Sequence, residues 1–314
     1  MQRHYRPRYL KLHQNGTLGQ KIKKLYMILE ECTLCPRECK VNRLKGERGI
    51  CKTANLPVIS SYFPHFGEEA PLVGRYGSGT IFISYCSLLC IYCQNYEISH
   101  LGEGKEVSLE EFAQMMLSLQ YMGCHNINIV TPTHVAPQMV AALKIAIEAG
   151  LNIPLVYNTG GYDKVETLRL LDGIIDIYMP DFKYWDPAIA KKYSHAPDYP
   201  KVAMAALKEM HHQVGDLYIN DKGLAQRGLL VRHLVLPHGL ARTKEIMQFI
   251  AKEISPNTYV NVMAQYRPCG EAKKDSLINK SITMEEYEQA IKYALKADLK
   301  RLDKAPLSLL FKRI

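Results

Sequence analysis

Short apolar runs alternate with amphipathic stretches along most of the chain. "TIFISY" (80–85) reads as a buried strand, and "LEEFAQMMLSLQYM" (109–122) sets its apolar residues at helical spacing. The alternation continues with strands at 126–130, 153–158, 173–180, 229–237 and 258–264. Between them, helices are expected at 135–150, 164–172 and 243–254, with helical chain reaching about residue 214. Pro137 falls in the first turn of its helix, where a missing N–H is tolerated. Further helices are expected at 18–30 and near 284–298, while the Gly- and Pro-containing stretch 53–79 reads as irregular.

Six strand–helix alternations with buried strands call for a parallel sheet with crossover helices. The expected fold class is α/β, a partial (β/α)6 TIM-type barrel with an N-terminal cysteine-rich extension. Three segments follow: a basic, cysteine-rich extension at 1–75, the barrel at 76–270 and a C-terminal helical tail at 271–314. Chemistry in parallel α/β folds gathers beyond the C-terminal ends of the strands. Polar residues stand there in this chain: Thr131 to His134, Asn158 to Gly161, Asp181 and Lys183, then Pro237 and His238.

Composition changes this picture little. A hydrophobic share of 47% over 314 residues suffices for a sizeable core and excludes a disordered chain. No apolar run reaches the roughly 20 residues that span a bilayer. The first residues, "MQRHYRPRYLKLHQNG", lack an apolar signal core. Cytoplasmic residence without a membrane is therefore the expectation. Charge is more informative. Residues 1–52 hold 13 of the 40 Lys and Arg but 4 of the 31 Asp and Glu, so the whole formal excess of +9 lies there. A nucleic-acid patch is one reading. Aromatic–basic interleaving is missing, however, and four cysteines share the segment, so compensation of metal-bound thiolates is preferred and nucleic acid is not expected.

The nine cysteines sort as Cys32, Cys35, Cys39 and Cys51; Cys86, Cys90 and Cys93; and the singles Cys124 and Cys269. Clustered thiols in a reducing compartment point to metal rather than disulfides. The triplet, in "FISYCSLLCIYCQN" (82–95), has C-x3-C-x2-C spacing just beyond the first strand. A structural zinc site wants four protein ligands. Three thiolates instead suit a [4Fe–4S] cluster with one iron left open to a substrate or cosubstrate.

C-x3-C-x-aromatic-C resembles the signature of the radical S-adenosylmethionine superfamily. "CIYCQN" is similar to the branch that contains pyruvate formate-lyase-activating enzyme, and the wider chain resembles its PflX-like relatives. The resemblance covers about 76–268. It implies that Cys86, Cys90 and Cys93 hold three irons while S-adenosylmethionine chelates the fourth. One electron would split the sulfonium, giving methionine and a 5′-deoxyadenosyl radical that abstracts hydrogen. Tyr92 would lie near the adenine. "NTGGY" (158–162) and "MPDFK" (179–183) resemble the family's third and fourth strand ends. Asn158, Thr159 and Asp181 thereby become cofactor-site candidates, and Lys183 a partner for the methionine carboxylate. With Met179, three of these match positions that can frame a monovalent cation, although Asn158 stands where the family has an acid. Asp181 and Lys183 could equally form an ion pair, and Gly160-Gly161 a turn.

Thr131, Thr133 or backbone carbonyls are candidates for the methionine amino group, because "TPTH" (131–134) replaces the family's glycine–glycine–acid motif. Tyr85 and Leu89 stand where small and basic residues are common. His233 or His238, which flank the end of the fifth strand, would contact the cosubstrate, and Arg232 is a further candidate there. The resemblance also implies an electron donor such as flavodoxin or ferredoxin. An activase role would require a separate protein substrate, because no glycyl-radical domain is seen in the chain.

Cys32, Cys35, Cys39 and Cys51 form C-x2-C-x3-C-x11-C, with Pro36, Gly46 and Gly49 at the turns. Four thiols can close a zinc site or a second iron–sulfur cluster, the latter being preferred. Cys124 should pack, Cys269 could reach the barrel mouth, and Gln265 and Tyr266 could line a pocket. A competing reading is an iron–sulfur or zinc binding module, or a nucleic-acid-binding protein.

Overall fold

The six strands expected from apolar runs form one parallel wall. The computed structural model describes residues 5–303. Its strands are β1 (Val58–His65), β2 (Ser78–Ile83), β3 (Lys105–Glu106), β4 (Ile127–Val130), β5 (Leu155–Thr159), β6 (Ile177–Pro180), β7 (Tyr218–Ile219), β8 (Ala225–Leu234), β9 (Tyr259–Met263) and β10 (Arg301–Leu302). Strands β2, β4, β5, β6, β8 and β9 pair in that order, all parallel, and β10 adds a short parallel edge. The path runs from β3 to β10 without closing. It nevertheless curls: Asn261 on β9 donates to Glu69 Oε1, in the β1–β2 connection, at 2.8 Å. A mostly parallel α/β wall of barrel type results.

The helices are α1 (Arg8–Gln14), α2 (Thr17–Met27), α3 (Ala70–Val73), α4 (Leu109–Tyr121), α5 (Ala136–Glu148), α6 (Val165–Leu171), α7 (Pro187–Ser194), α8 (Tyr199–Val214), α9 (Thr243–Phe249) and α10 (Met284–Lys296). Local chemistry explains their limits. Ser108 and Glu111 close a capping box on α4, as Thr283 and Glu286 do on α10. Phe112, Met116 and Leu119 of α4 are fully buried, each contributing about 1.5–3 kcal/mol of transfer free energy. Along β4, Ile127 and Ile129 join the main core while Asn128 faces Glu68. None of the described helices is long and apolar enough to cross a membrane.

One part of the chain departs from the sequence reading. The supposedly irregular stretch 53–79 contains β1, antiparallel to β2 with a register shift between Ile59 and Ser61. Pro64 and the serine pair disguise it, yet a partly unpaired edge strand tolerates both proline and a bulge. The N-terminal extension packs onto the barrel. Tyr9, Leu18 and Leu25 share one core with the barrel, and Tyr9 Oη donates to the Ile153 carbonyl at 2.7 Å. Of the expected C-terminal tail, α10 and β10 lie against the barrel's last elements. Residues 1–4 of the extension and 304–314 of the tail lie outside the described residues.

Candidate active site

Just beyond β2 the backbone turns sharply twice. Tyr85 and Leu89 adopt left-handed conformations, with φ of 66° and 56°, immediately before Cys86 and Cys90. Such residues cost about 1–2 kcal/mol each. The turns carry Cys86, Cys90 and Cys93 to the rim of one cavity of about 250 Å³. The Leu88 N–H donates to Cys86 Sγ at 3.3 Å, and Ser194 Oγ donates to Cys90 Sγ at 3.1 Å. The Tyr85 ring rests on Gly102, where a Cβ would lie 2.2 Å from it. Burial, reinforced by Cys90, pushes the Cys86 thiol up to about 12.

Among the described residues, no group of three or more His, Cys, Asp or Glu is drawn together around a single ion. The three thiols front a space instead. It exceeds several times over the roughly 30 Å³ share of one water, and soft sulfur donors suit iron–sulfur chemistry. The residues present therefore fit a cluster with a small molecule beside it. Tyr92, Thr131, Asn158, Thr159, Asp181 and Lys183 line the same cavity, as does Gln265. Tyr92 is held by edge-on contacts with Tyr184, Tyr193 and Tyr266.

Opposite the thiols lies a charged network. Asp181 takes Lys183 Nζ at 2.5 Å and Arg232 Nε at 2.9 Å. Arg232 also donates to Asn158 Oδ1 at 2.6 Å and approaches Glu68 at 3.5 Å. Two of the positions that could have framed a monovalent cation, Asn158 and Asp181, thus hold a guanidinium instead. Burial disfavours the Asp181 carboxylate, but Arg232 and Lys183 outweigh it and hold its carboxyl below the usual range. Lys183 is held above its ordinary value, burial being outweighed by Asp181 and Cys90. Gly161 makes the turn possible: its φ is +77° and a Cβ would lie 2.2 Å from the Asp181 carbonyl oxygen.

Glu68 went unread in the sequence, with no motif to mark it. Burial pushes its carboxyl up from 4.5 to about 7, against the pull of Arg232. Between those values the folded protein keeps a proton that the unfolded chain releases, so this stabilisation is complete below about pH 4.5 and lost as pH rises through about 7. The Glu68→Gln variant should show a flatter stability profile between pH 5 and 8, by up to about 3 kcal/mol. Urea unfolding at both pH values measures it; an unchanged slope would remove Glu68 as the source.

Other placements follow from strand parity and hydroxyl partners. Arg232 and Leu234 face the cavity, so His233 between them faces away. His233 is buried between the Phe182 carbonyl and the Thr243 hydroxyl, at 2.7 and 2.9 Å, and does not meet the cavity. His238 is exposed, and its N–H donates to Glu286. The Thr159 hydroxyl is committed to Asp163 at 2.6 Å, and Thr133 and Tyr157 donate to the same carboxylate. Asp163, also unread in the sequence, thereby ties the ends of β4 and β5 together. Tyr266 packs, with its hydroxyl on the Ile278 carbonyl, and Cys124 is buried beneath Tyr76. Cys269 is half-buried and outside the cavity lining.

Cys32, Cys35, Cys39 and Cys51 line a second, much smaller space of about 10 Å³, together with Arg43 and His134. Gly49 passes so close to Cys39 that a Cβ would lie 2.7 Å from its sulfur. Burial pushes the Cys35 thiol up to about 12. Arg43 is 1% exposed, yet among the described residues it forms no ion pair; its donors go to the carbonyls of Ala54 and His134. A buried, unpaired cation is expensive. Metal-bound thiolates would supply the missing negative charge, although among the described residues the four thiols are not drawn together around a single ion.

Residues 80–223 match the family model described as the radical SAM superfamily. An uncharacterized protein of Methanocaldococcus jannaschii is 34% identical over 292 residues, which span 90% of this chain and 79% of the relative.

Proposed function

The chain carries a radical SAM superfamily domain over residues 80–223, and from that premise we propose that it is an enzyme that binds a [4Fe–4S] cluster at Cys86, Cys90 and Cys93 and cleaves S-adenosylmethionine reductively. The observation that carries the reading is the meeting of those three thiols with Asp181 and Lys183 around one cavity. When bound, the cluster supplies the electron that splits the sulfonium and yields a hydrogen-abstracting radical. The chain's own residues bind and orient. Lys183, fixed by Asp181, offers an ammonium to the cosubstrate carboxylate. Tyr92 provides an aromatic wall, and Thr131, at a left-handed φ of 63°, lines the cavity where it would meet the cosubstrate amino group. Leu88, Ile98 and Val130 line the cavity with apolar surface that helps to exclude water.

The finer reading is activase-like: hydrogen abstraction from a separate protein, with an electron carrier such as flavodoxin or ferredoxin as donor. The similarity of "CIYCQN" to that branch supports it. Residence in the cytoplasm, where thiols stay reduced, belongs to the same proposal, as does a metal at the knuckle, where Arg43, buried and without an ion pair among the described residues, supports an anionic zinc or iron–sulfur site.

The test is anaerobic reconstitution, reduction and addition of S-adenosylmethionine, with 5′-deoxyadenosine measured and the cluster's paramagnetic resonance recorded with and without the cosubstrate. Product formation and a cosubstrate-induced spectral change are expected. A cluster-loaded protein that makes no product and binds RNA or DNA tightly and salt-sensitively would be a binding module instead.

A further inference from the structure

Arg37, between Cys35 and Cys39, reaches out of the knuckle to the other cysteine loop. Its Nε donates to the Ser87 carbonyl at 2.9 Å, and its Nη2 to the carbonyls of Leu88 at 3.2 Å and Ser194 at 2.8 Å. Nη1 donates to the His195 carbonyl at 2.5 Å. Ser87 and Leu88 lie between Cys86 and Cys90. Ser194 ends α7, and its hydroxyl is the donor to Cys90 Sγ at 3.1 Å. Tyr184 holds the same hydroxyl at 2.8 Å. Arg37 therefore braces the cysteine loop and the group that hydrogen-bonds its middle sulfur. The guanidinium sits over the carbonyl end of α7, which favours a cation. Among the described residues it forms no ion pair that would compete.

A second tie runs beside it. Arg43 Nη1 donates to the His134 carbonyl at 2.8 Å, and His134 Nε2 meets the Ser84 carbonyl, two residues before Cys86, at 3.0 Å. Because a carbonyl only accepts, Nε2 carries the proton. The knuckle is thus connected to the start and the middle of the cysteine loop.

We propose that Arg37 is a positioning residue through which the N-terminal knuckle sets the hydrogen bond from Ser194 to Cys90, and so tunes the cluster held by Cys86, Cys90 and Cys93. This rests on the proposed cluster. Metal ligation at Cys35 and Cys39 would fix the backbone on both sides of Arg37, and hydrogen bonds to a cluster's sulfurs favour its reduced, more negative state. Loss of the brace makes reduction harder.

The test uses the full chain, reconstituted anaerobically, with the reduced fraction read by paramagnetic resonance at a fixed potential. Arg37→Lys keeps the charge but cannot reach four carbonyls. It should lower the reduced-to-oxidised ratio roughly tenfold in the otherwise unaltered protein and leave it nearly unchanged in a Ser194→Ala background. An unchanged ratio overturns the proposal, and so does an equal fall in both backgrounds, which would show that Arg37 does not act through Ser194. Absence of the cluster signal from the unaltered protein would instead overturn the proposed function, and this inference with it.

Discussion

Cys90→Ala should abolish S-adenosylmethionine cleavage while leaving the metal at the N-terminal knuckle in place. Cys90 is the middle thiol of the loop, 7% exposed, and the one whose sulfur takes the Ser194 hydrogen bond. Without it only Cys86 and Cys93 remain to hold a cluster, and no spare cysteine lines the cavity. Loss of an outer hydrogen-bonding partner typically costs 10–100-fold in metal affinity or activity, and loss of a ligand should exceed about a hundredfold. The knuckle has its own space and its own four thiols, so its metal should survive. Iron, zinc and sulfide content together with 5′-deoxyadenosine formation measure both effects. Full turnover by the variant would remove Cys90 from the ligand set and with it the proposed chemistry.

Some of this was legible because the signals are local. Each parallel strand is a short apolar run, and spacing groups the cysteines wherever the chain later carries them. β1 was hidden because Ser60, Ser61 and Pro64 break the pattern on an edge that tolerates them. His233 was a reasonable candidate until the register was known; with Arg232 facing Asp181, parity turns the histidine outwards. Arg37, Glu68 and Asp163 stayed unread for a different reason. Arg37 meets Ser194 across 157 positions, and Glu68 meets Asn128 across 60. Asp163 lies near its partners in sequence, but three converging hydroxyls are visible only when two strand ends meet. Such partnerships belong to the packed fold and leave no periodicity in the chain.

Removing the Asp181 carboxylate should be the most destabilising change in the charged network. Its side chain is 12% exposed and lies between Lys183 and Arg232, which are 16% and 18% exposed. The backbone holds it in place: the Asp181 N–H donates to the Thr159 carbonyl at 2.9 Å, and Tyr199 Oη donates to the Asp181 carbonyl at 3.0 Å. Asp181→Ala leaves two cations facing one another, with Glu69 and Glu68, the latter at 3.5 Å from Arg232, as the remaining nearby acids. Breaking a buried pair on one side costs about 3–5 kcal/mol, because the surviving charge stays desolvated. Urea unfolding should register a loss of that size. Adding Lys183→Met removes the stranded ammonium and should restore part of it, so the two changes would be strongly non-additive. A loss below about 1 kcal/mol, as for an exposed salt bridge, would mean that solvent already screens these charges. Lys183 would then be too loosely held to orient a cosubstrate carboxylate, and the binding role assigned to it would fall together with the stability argument.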